Sequence, residues 1–415
     1  MKDRPTPEGG TPLALLLREL LAREGPMPFD RFMEIALYHP QHGYYAQAPS
    51  RRIGKGGDYY TGPSSGPAFG RLFAQTVAEV WSLLGRPEAM EIWEQGAGSG
   101  WLACDLFDWL RHQNPELARR IRYTIVEPQV RSRQEQQERV RRAGFADRFR
   151  WLQSWGETER ITGIFFSNEL VDSFPVRRLV RRGAGWTESY VCLDAEGRFR
   201  LVERPLSDGN RPADPLARPM LDLPEGWVFE WSPAVGPWLR RVADLLDRGM
   251  VFTFDYGLTP EERFSPERAG GTLRAYRRHR REEALLARPG EQDLTAHVDF
   301  GMLAQCGCEV GLRNWALIDQ HHFFVGILSA LAEQSGGGMP EGLSAGGFQT
   351  LAHPEFLGRT HRVLVQSKGI EDASALSCLR FAGIGSAALG SCAPARSAAT
   401  NRACASTLRN ESPAC

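Results

Sequence analysis

One stretch constrains the fold more than any other: Met90-Glu91-Ile92-Trp93-Glu94-Gln95-Gly96-Ala97-Gly98-Ser99-Gly100-Trp101-Leu102. A short apolar run ends on a carboxylate. Three glycines follow at alternate positions, and helical periodicity then begins. This reads as a strand, a tight turn and a helix N-terminus. Glycine lets the backbone come close to a ligand, and the first N–H groups of the helix are aimed at it. A dinucleotide fingerprint is G-x-G-x-x-G, with its third glycine one residue later; here position 101 is Trp. Glu94, two residues before the first glycine, suits a ligand with a cationic amine better than one with phosphates. A purely structural strand-to-helix turn is the competing reading of this stretch alone.

The pattern continues downstream. Strands are predicted at 90–94, 122–126, 149–152 and 163–167, with helices at 101–112 and 130–143 between the first three. Such alternation implies a parallel sheet covered on both faces. Before it, Thr11-Pro12 is a helix start, with an N-cap and proline at the first helical position. A second helix covers 28–38, and a glycine-rich loop at 51–70 runs into a helix with apolar residues from Phe69 to Leu84. Residues 176–203 read as a hairpin plus a third strand, 204–226 as a surface loop, 234–248 as a helix and 250–255 as a buried strand. A loop follows, then a helix at 299–306, a strand near 309–318, a helix at 320–334, a second glycine-rich segment at 335–359 and a strand at 362–368. From about 370 small residues, serines and cysteines replace the pattern, and disorder is expected. The expected units are a helical cover with a cofactor loop (1–88), a Rossmann-like cofactor half (89–175), a hairpin and loop insertion (176–232), a second half with acceptor-side loops (233–368) and a disordered tail (369–415).

Further carboxylates fall where such a sheet binds ligands, beyond the carboxyl ends of its strands. Glu127 ends the strand Tyr123-Thr124-Ile125-Val126 and is placed to accept hydrogen bonds from both hydroxyls of a ribose; the alternative is a solvated strand-end acid. Asn168, Glu169 and Asp172 follow the fourth strand, at the reacting end of the cofactor; a capping role for Asn168 or Asp172 is the alternative. Asp255 closes the next strand on the same rim. Converging carboxylates suit a cationic acceptor such as a guanidinium, or remove a proton from one. His297 is a base, an acceptor-site donor or a structural histidine. The runs Arg177-Arg178, Arg181-Arg182 and Arg277-Arg278-His279-Arg280-Arg281 dock an acidic partner or are solvated faces.

Composition narrows the partners. The 415 residues carry 50 Lys+Arg and 50 Asp+Glu, so neither nucleic acid nor an anionic membrane is the expected partner. Leu13-Ala14-Leu15-Leu16-Leu17 is soon interrupted by charge, and no signal peptide, transit peptide or membrane insertion is expected. Cys306-Gly307-Cys308 has no second pair, so no metal is expected, and a reduced, cytoplasmic setting fits.

Seven motifs then line up in order: Tyr38-His39-Pro40-x-x-Gly43-Tyr44-Tyr45, Gly57-Asp58-Tyr59-Tyr60-Thr61, Glu94-x-Gly96-x-Gly98-x-Gly100, Asn168-Glu169-x-x-Asp172-x-x-Pro175-Val176, Asp255-Tyr256-Gly257, Gly271-Thr272-Leu273-Arg274-Ala275-Tyr276 and Asp293-Leu294-Thr295-Ala296-His297-Val298-Asp299-Phe300. Through them the chain, from about Phe29 to Lys368, resembles the MidA family of S-adenosylmethionine-dependent methyltransferases, which includes the mitochondrial protein-arginine methyltransferase of complex I assembly. The resemblance implies an α/β fold: a Rossmann-like, seven-stranded class I methyltransferase sheet with its last strand, 362–368, antiparallel, an N-terminal helical cover and a β-hairpin insertion. It implies S-adenosyl-L-methionine as cofactor, with Gly57, Asp58 and Thr61 helping to close its pocket. Glu94 and Gly96, Gly98 and Gly100 would hold the methionine portion, Glu127 the ribose, and Gln153 or Ser154 the adenine edge, with Asn168 beside the reacting end. Glu169, Asp172, Asp255 and His297 are the catalytic candidates, and arginine in a protein partner the preferred acceptor. A small-molecule N- or O-methyltransferase and a non-catalytic assembly factor are the alternatives, and a homodimer is compatible with any of them. Gly62 stands where the family has serine, and Gln95 and Trp101 flank the glycine turn unusually.

Overall fold

The computed structural model describes residues 10–49, 52–54, 57–58, 62–156, 159–206, 223–338, 342–343, 348, 351 and 360–385. Helix α1 (Pro12–Glu24) starts at Thr11, whose hydroxyl accepts the Ala14 amide at 3.0 Å. The chain continues through β1 (Met27–Pro28), α2 (Phe29–Tyr38), α3 (Ala68–Leu83), β2 (Met90–Gln95), α4 (Trp101–Gln113), α5 (Pro115–Arg120), β3 (Ile121–Val126), α6 (Val130–Ala143), β4 (Phe149–Leu152) and β5 (Ile161–Asn168). Then come β6 (Arg177–Arg182), β7 (Gly185–Leu193), β8 (Phe199–Pro205), β9 (Val228–Trp231), α7 (Val235–Leu245) and β10 (Leu246–Leu258). The last elements are β11 (Arg274–Arg277), β12 (Arg280–Glu282), β13 (Asp293–Thr295), β14 (Val298–Asp299), α8 (Phe300–Glu309), β15 (Arg313–Asp319), α9 (Gln320–Gln334) and β16 (His361–Lys368).

The central sheet has the order β15-β16-β10-β5-β2-β3-β4. Strand β16 runs antiparallel to both neighbours and the remaining pairings are parallel. These are the seven strands expected; the two-residue β14 adds an eighth beyond the end of β10. Strand residues on both faces are buried, Ile92 with Trp93 and Ile164 with Phe165 and Phe166 among them, as a sheet covered on both sides requires. On one face Phe73 of α3 sits 5.0 Å from Phe166 and 5.4 Å from Phe252, ring centre to ring centre. On the other, Trp238 of α7 lies 5.9 Å from Phe165. Each such ring stabilises the fold by about 1.5–3 kcal/mol through burial alone. The register brings Glu94 level with Phe166 and Ile125, and Phe254 level with Asn168, so four strands end on one rim.

The N-terminal helices pack away from that sheet. Leu17, Phe29, Phe32 and Met33 share a separate core with Val176, Val191, Leu273 and Leu294. A second, five-stranded sheet underlies it: β1 pairs with β7, β7 with β6 and β8, and β6 with β9. Strand β9 falls between the surface loop and the helix expected from sequence, and in the span after 255 expected as loop β11, β12 and β13 form a three-stranded sheet.

The tail needs the larger correction. Disorder was expected from 369, yet Ile370, Ala373, Leu376 and Cys378 are buried, and Ser377 donates to Glu79 through its amide at 2.8 Å and its hydroxyl at 3.0 Å. Gly326 of α9 lets the tail come close, since a Cβ there would collide with the Ser377 carbonyl. Residues 386–415 lie outside the described residues.

Candidate active site

The glycine turn carries three left-handed residues in five, with φ of +81° at Gly96, +52° at Gly98 and +76° at Gly100. A side chain there would cost roughly 1–2 kcal/mol per residue. Helix α4 starts from Gly100 with no side-chain cap and no acid in its first turn. Its leading N–H groups are therefore left for an external acceptor. A cavity of about 350 Å³ opens here, walled by 94–99, Trp101, Leu102, Glu127, Asn168 and Glu169. That is the size of a small-molecule site.

Two acids define its chemistry. Glu94 is buried and accepts the Tyr123 hydroxyl at 2.7 Å. Burial pushes its carboxyl up to about 7, against the pull of that hydrogen bond. A carboxyl left half-protonated for want of a positive neighbour is completed by a cationic ligand group. Glu127 accepts the Gln129 amide at 2.8 Å and the Gln136 amide nitrogen at 3.2 Å, and burial raises its carboxyl. A carboxylate has lone pairs for further donors.

Gln136 was missed from sequence. It is fully buried, donates to the Gly98 carbonyl at 2.9 Å as well as to Glu127, and accepts Trp151 Nε1 at 3.1 Å. Ser132, Gln136 and Val140 form the buried face of α6. Their spacing of four was the available signal. Arg139 on the same helix donates to the Ser99 carbonyl at 2.7 Å and lies 3.3 Å from the centre of the Trp101 ring.

Beyond β5 the chain turns sharply at Glu169, a non-glycine with φ +49°; such strain gathers at functional sites. Behind that turn, Asp255 Oδ2 accepts the amides of Leu170, Val171 and Asp172 at 3.2, 2.9 and 3.3 Å, and Oδ1 accepts the Tyr256 amide at 2.9 Å. Asp255 is fully buried and in neither cavity wall, so its place is behind the reacting rim and not on it.

A second cavity of about 460 Å³ adjoins the first and shares Tyr45 and Glu169 with it. Asp172, Asp293 and His297 line it. Burial, and then the charge of Asp172, push Glu169 up to about 8 and Asp293 up to about 7, while burial pushes Asp172 up to about 6. Burial first, then Arg268, Arg274 and Arg263, lower His297 to about 4, leaving a neutral imidazole at pH 7. Asp172 Oδ1 and His297 Nδ1 are buried without a hydrogen-bond partner.

The remaining candidates fall elsewhere. Asp58 accepts the Tyr44 hydroxyl at 2.8 Å and the Arg278 amide at 2.6 Å, and it staples its loop to the β11–β12 turn without lining the first cavity. Gly57 is also off that wall; Arg52 and Ile53 of the same loop, missed from sequence, are on it. Gln153 and Ser154 are exposed and outside the cavity, because edge strand β4 ends level with Glu127, where the Glu127 amide meets the Leu152 carbonyl at 2.9 Å. Thr61 lies outside the described residues. Of the arginine runs, Arg177 pairs with Asp30 at 3.2 Å and Arg182 with Glu203 at 2.6 Å, whereas Arg280 and Arg281 are exposed.

Comparison with known proteins gives a consistent picture. The sequence model of a family described as "Putative S-adenosyl-L-methionine-dependent methyltransferase" matches residues 72–316. The Drosophila melanogaster protein named protein arginine methyltransferase NDUFAF7 homolog, mitochondrial, is 26% identical over 317 residues, 70% of this chain and 69% of that one. The Danio rerio protein arginine methyltransferase NDUFAF7, mitochondrial, is 27% identical over 302 residues, 67% and 68% of the two chains. A Burkholderia thailandensis protein described as a "likely methyl transferase", its structure determined with bound S-adenosyl-homocysteine, superposes with a TM-score of 0.78 at 32% identity, covering 90% of this chain and 95% of that one. Among the described residues no helix is long and apolar enough to cross a membrane.

Proposed function

This chain belongs to the S-adenosyl-L-methionine-dependent methyltransferase family, and from that footing we propose that its paired cavities pass a methyl group to a guanidinium nitrogen of a protein arginine. When bound, the cofactor supplies an electrophilic methyl group on a sulfonium centre. The residues of the first cavity fit it. Glu94 would hold the amino group, the uncapped start of α4 would meet polar atoms of the donor, and Glu127 would accept from the ribose hydroxyls.

The observation that carries the acceptor reading is the second cavity. It shares Glu169 with the first, and it offers Asp172 Oδ1 and a neutral His297 Nδ1, both buried and unpartnered. A guanidinium is a planar cation with five N–H donors and no acceptor, the complement of the Glu169, Asp172 and Asp293 carboxyls in a wall that Arg268 and Arg362 also line. Its charge would draw Glu169 and Asp172 into their ionised forms. Glu169 is then placed to take the proton that the nitrogen sheds as the new N–C bond forms. Asp255 holds the turn that presents both acids. The relatives named as protein arginine methyltransferases support the same acceptor. We read the compartment as cytoplasmic; those relatives are named mitochondrial, and fractionation of cells carrying the tagged full chain separates the two.

The test is incubation of a cell lysate with methyl-labelled cofactor and either the wild-type chain or Glu169→Ala. A labelled protein band with wild type alone supports the proposal. Label confined to the small-molecule fraction points to a small-molecule acceptor and overturns it.

A further inference from the structure

We infer that Arg52 is the anchor for the carboxylate of the methyl donor. The inference rests on the assignment of the first cavity to that donor and is independent of the acceptor.

Arg52 is the one basic side chain among the described residues of that wall, against Glu34, Glu94, Glu127 and Glu169. The donor bears two cationic centres, an ammonium and a sulfonium, and a single anion, its α-carboxylate. Glu94 and Glu169 suit the two cations, and Arg52 is the base of this wall that suits the anion. Arg52 is only 4% exposed, so its charge acts in a medium that screens it little. Its guanidinium lies 4.7 Å from the centre of the Tyr45 ring and 5.5 Å from that of Tyr44, and Nε faces the Gln47 carbonyl at 3.4 Å. Stacking thus helps to orient the planar fork, and its charge also acts on Glu127 and Asp293. The adjoining Ile53 places its Cδ1 3.2 Å from where a Cβ on Gly98 would stand, which seats this loop directly over the glycine turn. The same placement orients the donor. Its sulfonium is repelled from Arg52 and turned toward Glu169 and the second cavity.

The test compares S-adenosylmethionine with its decarboxylated form by calorimetry on the full chain. Wild type should bind the carboxylate-bearing ligand about 10- to 100-fold more tightly, as expected of a buried charge-assisted fork. Arg52→Gln should lose that discrimination, falling on S-adenosylmethionine while keeping its affinity for the decarboxylated ligand within about twofold. Arg52→Lys, which keeps charge but not the fork, should retain part of it; it carries the test if the Gln variant fails to fold. Equal affinity of wild type for the two ligands would overturn the inference. So would a variant that weakens both ligands alike, since that marks Arg52 as a support of the loop. Loss of all binding in Gly98→Val, with wild type blind to the carboxylate, would leave the donor cavity standing and remove only Arg52's role.

Discussion

Glu169 concentrates the character of the site in one residue: a left-handed backbone, a side chain on two cavities and a carboxyl pushed up to about 8. A carboxyl raised in the native state keeps a proton that the unfolded chain gives up near its ordinary value. Its contribution to stability is present at low pH and is lost as pH climbs through the native value. Asp172, at about 6, and Asp293, at about 7, act in the same direction. Melting of Glu169→Gln beside wild type should therefore show the variant gaining relative stability from about pH 5 to about pH 8. An offset constant across that window would mean that Glu169 titrates normally. At the glycine turn, Gly98→Val places a branched side chain at φ +52° against Ile53. Affinity for S-adenosylhomocysteine should drop at least about tenfold; unchanged affinity in calorimetry would contradict the donor cavity. Glu94, Glu127 and Glu169 could be read from sequence because each ends a strand of a recognisable alternation. Gln136 showed only in the spacing of four that it shares with Ser132 and Val140, and Arg52 not at all, because a polar side chain carries no apolar signal of its own burial.

At the level of elements, the rim works because Asp255 gathers four backbone N–H groups and fixes the turn from Glu169 to Ser173. The sequence places Asp255 on that rim; only the packing of β10 against the turn shows that it faces backward. Asp255→Asn keeps one acceptor oxygen but sets an amide N–H₂ against the donors on its other side. It should cost about 2–4 kcal/mol in denaturant unfolding. In the variant that still folds, kcat should fall while cofactor affinity holds. A fall in affinity with kcat intact would move Asp255 to the donor side. Long apolar strands such as β2, β5 and β16 were legible for the reason that makes them central, burial on both faces. The sheet of β11, β12 and β13 was not. Its strands are three or four residues long, and Arg274–Arg277 and Arg280–Glu282 offer no apolar alternation.

Across the whole molecule, two cores clasp the central sheet, and a third joins the N-terminal helices to the inserted sheet and to β13. The acceptor-side wall thereby depends on segments that begin and end far apart in the chain, which is why its shape was not legible. The stretch after β16 belongs to the first core. Ending the chain at Lys368 should lower Tm by about 3 °C or more through loss of the Ile370 and Leu376 burial, whereas ending it at 385 should not remove that packing. Equal melting of the two would show the stretch to be dispensable. The central claim is that two cavities meeting at Glu169 deliver a methyl group to arginine. It is tested most directly by acid hydrolysis of lysate protein labelled by the purified chain. Label eluting as methylated arginine, and absent with a Glu169→Ala chain that still binds S-adenosylhomocysteine, is the predicted result. Label in any other amino acid, or undiminished arginine labelling by Glu169→Ala, would contradict it.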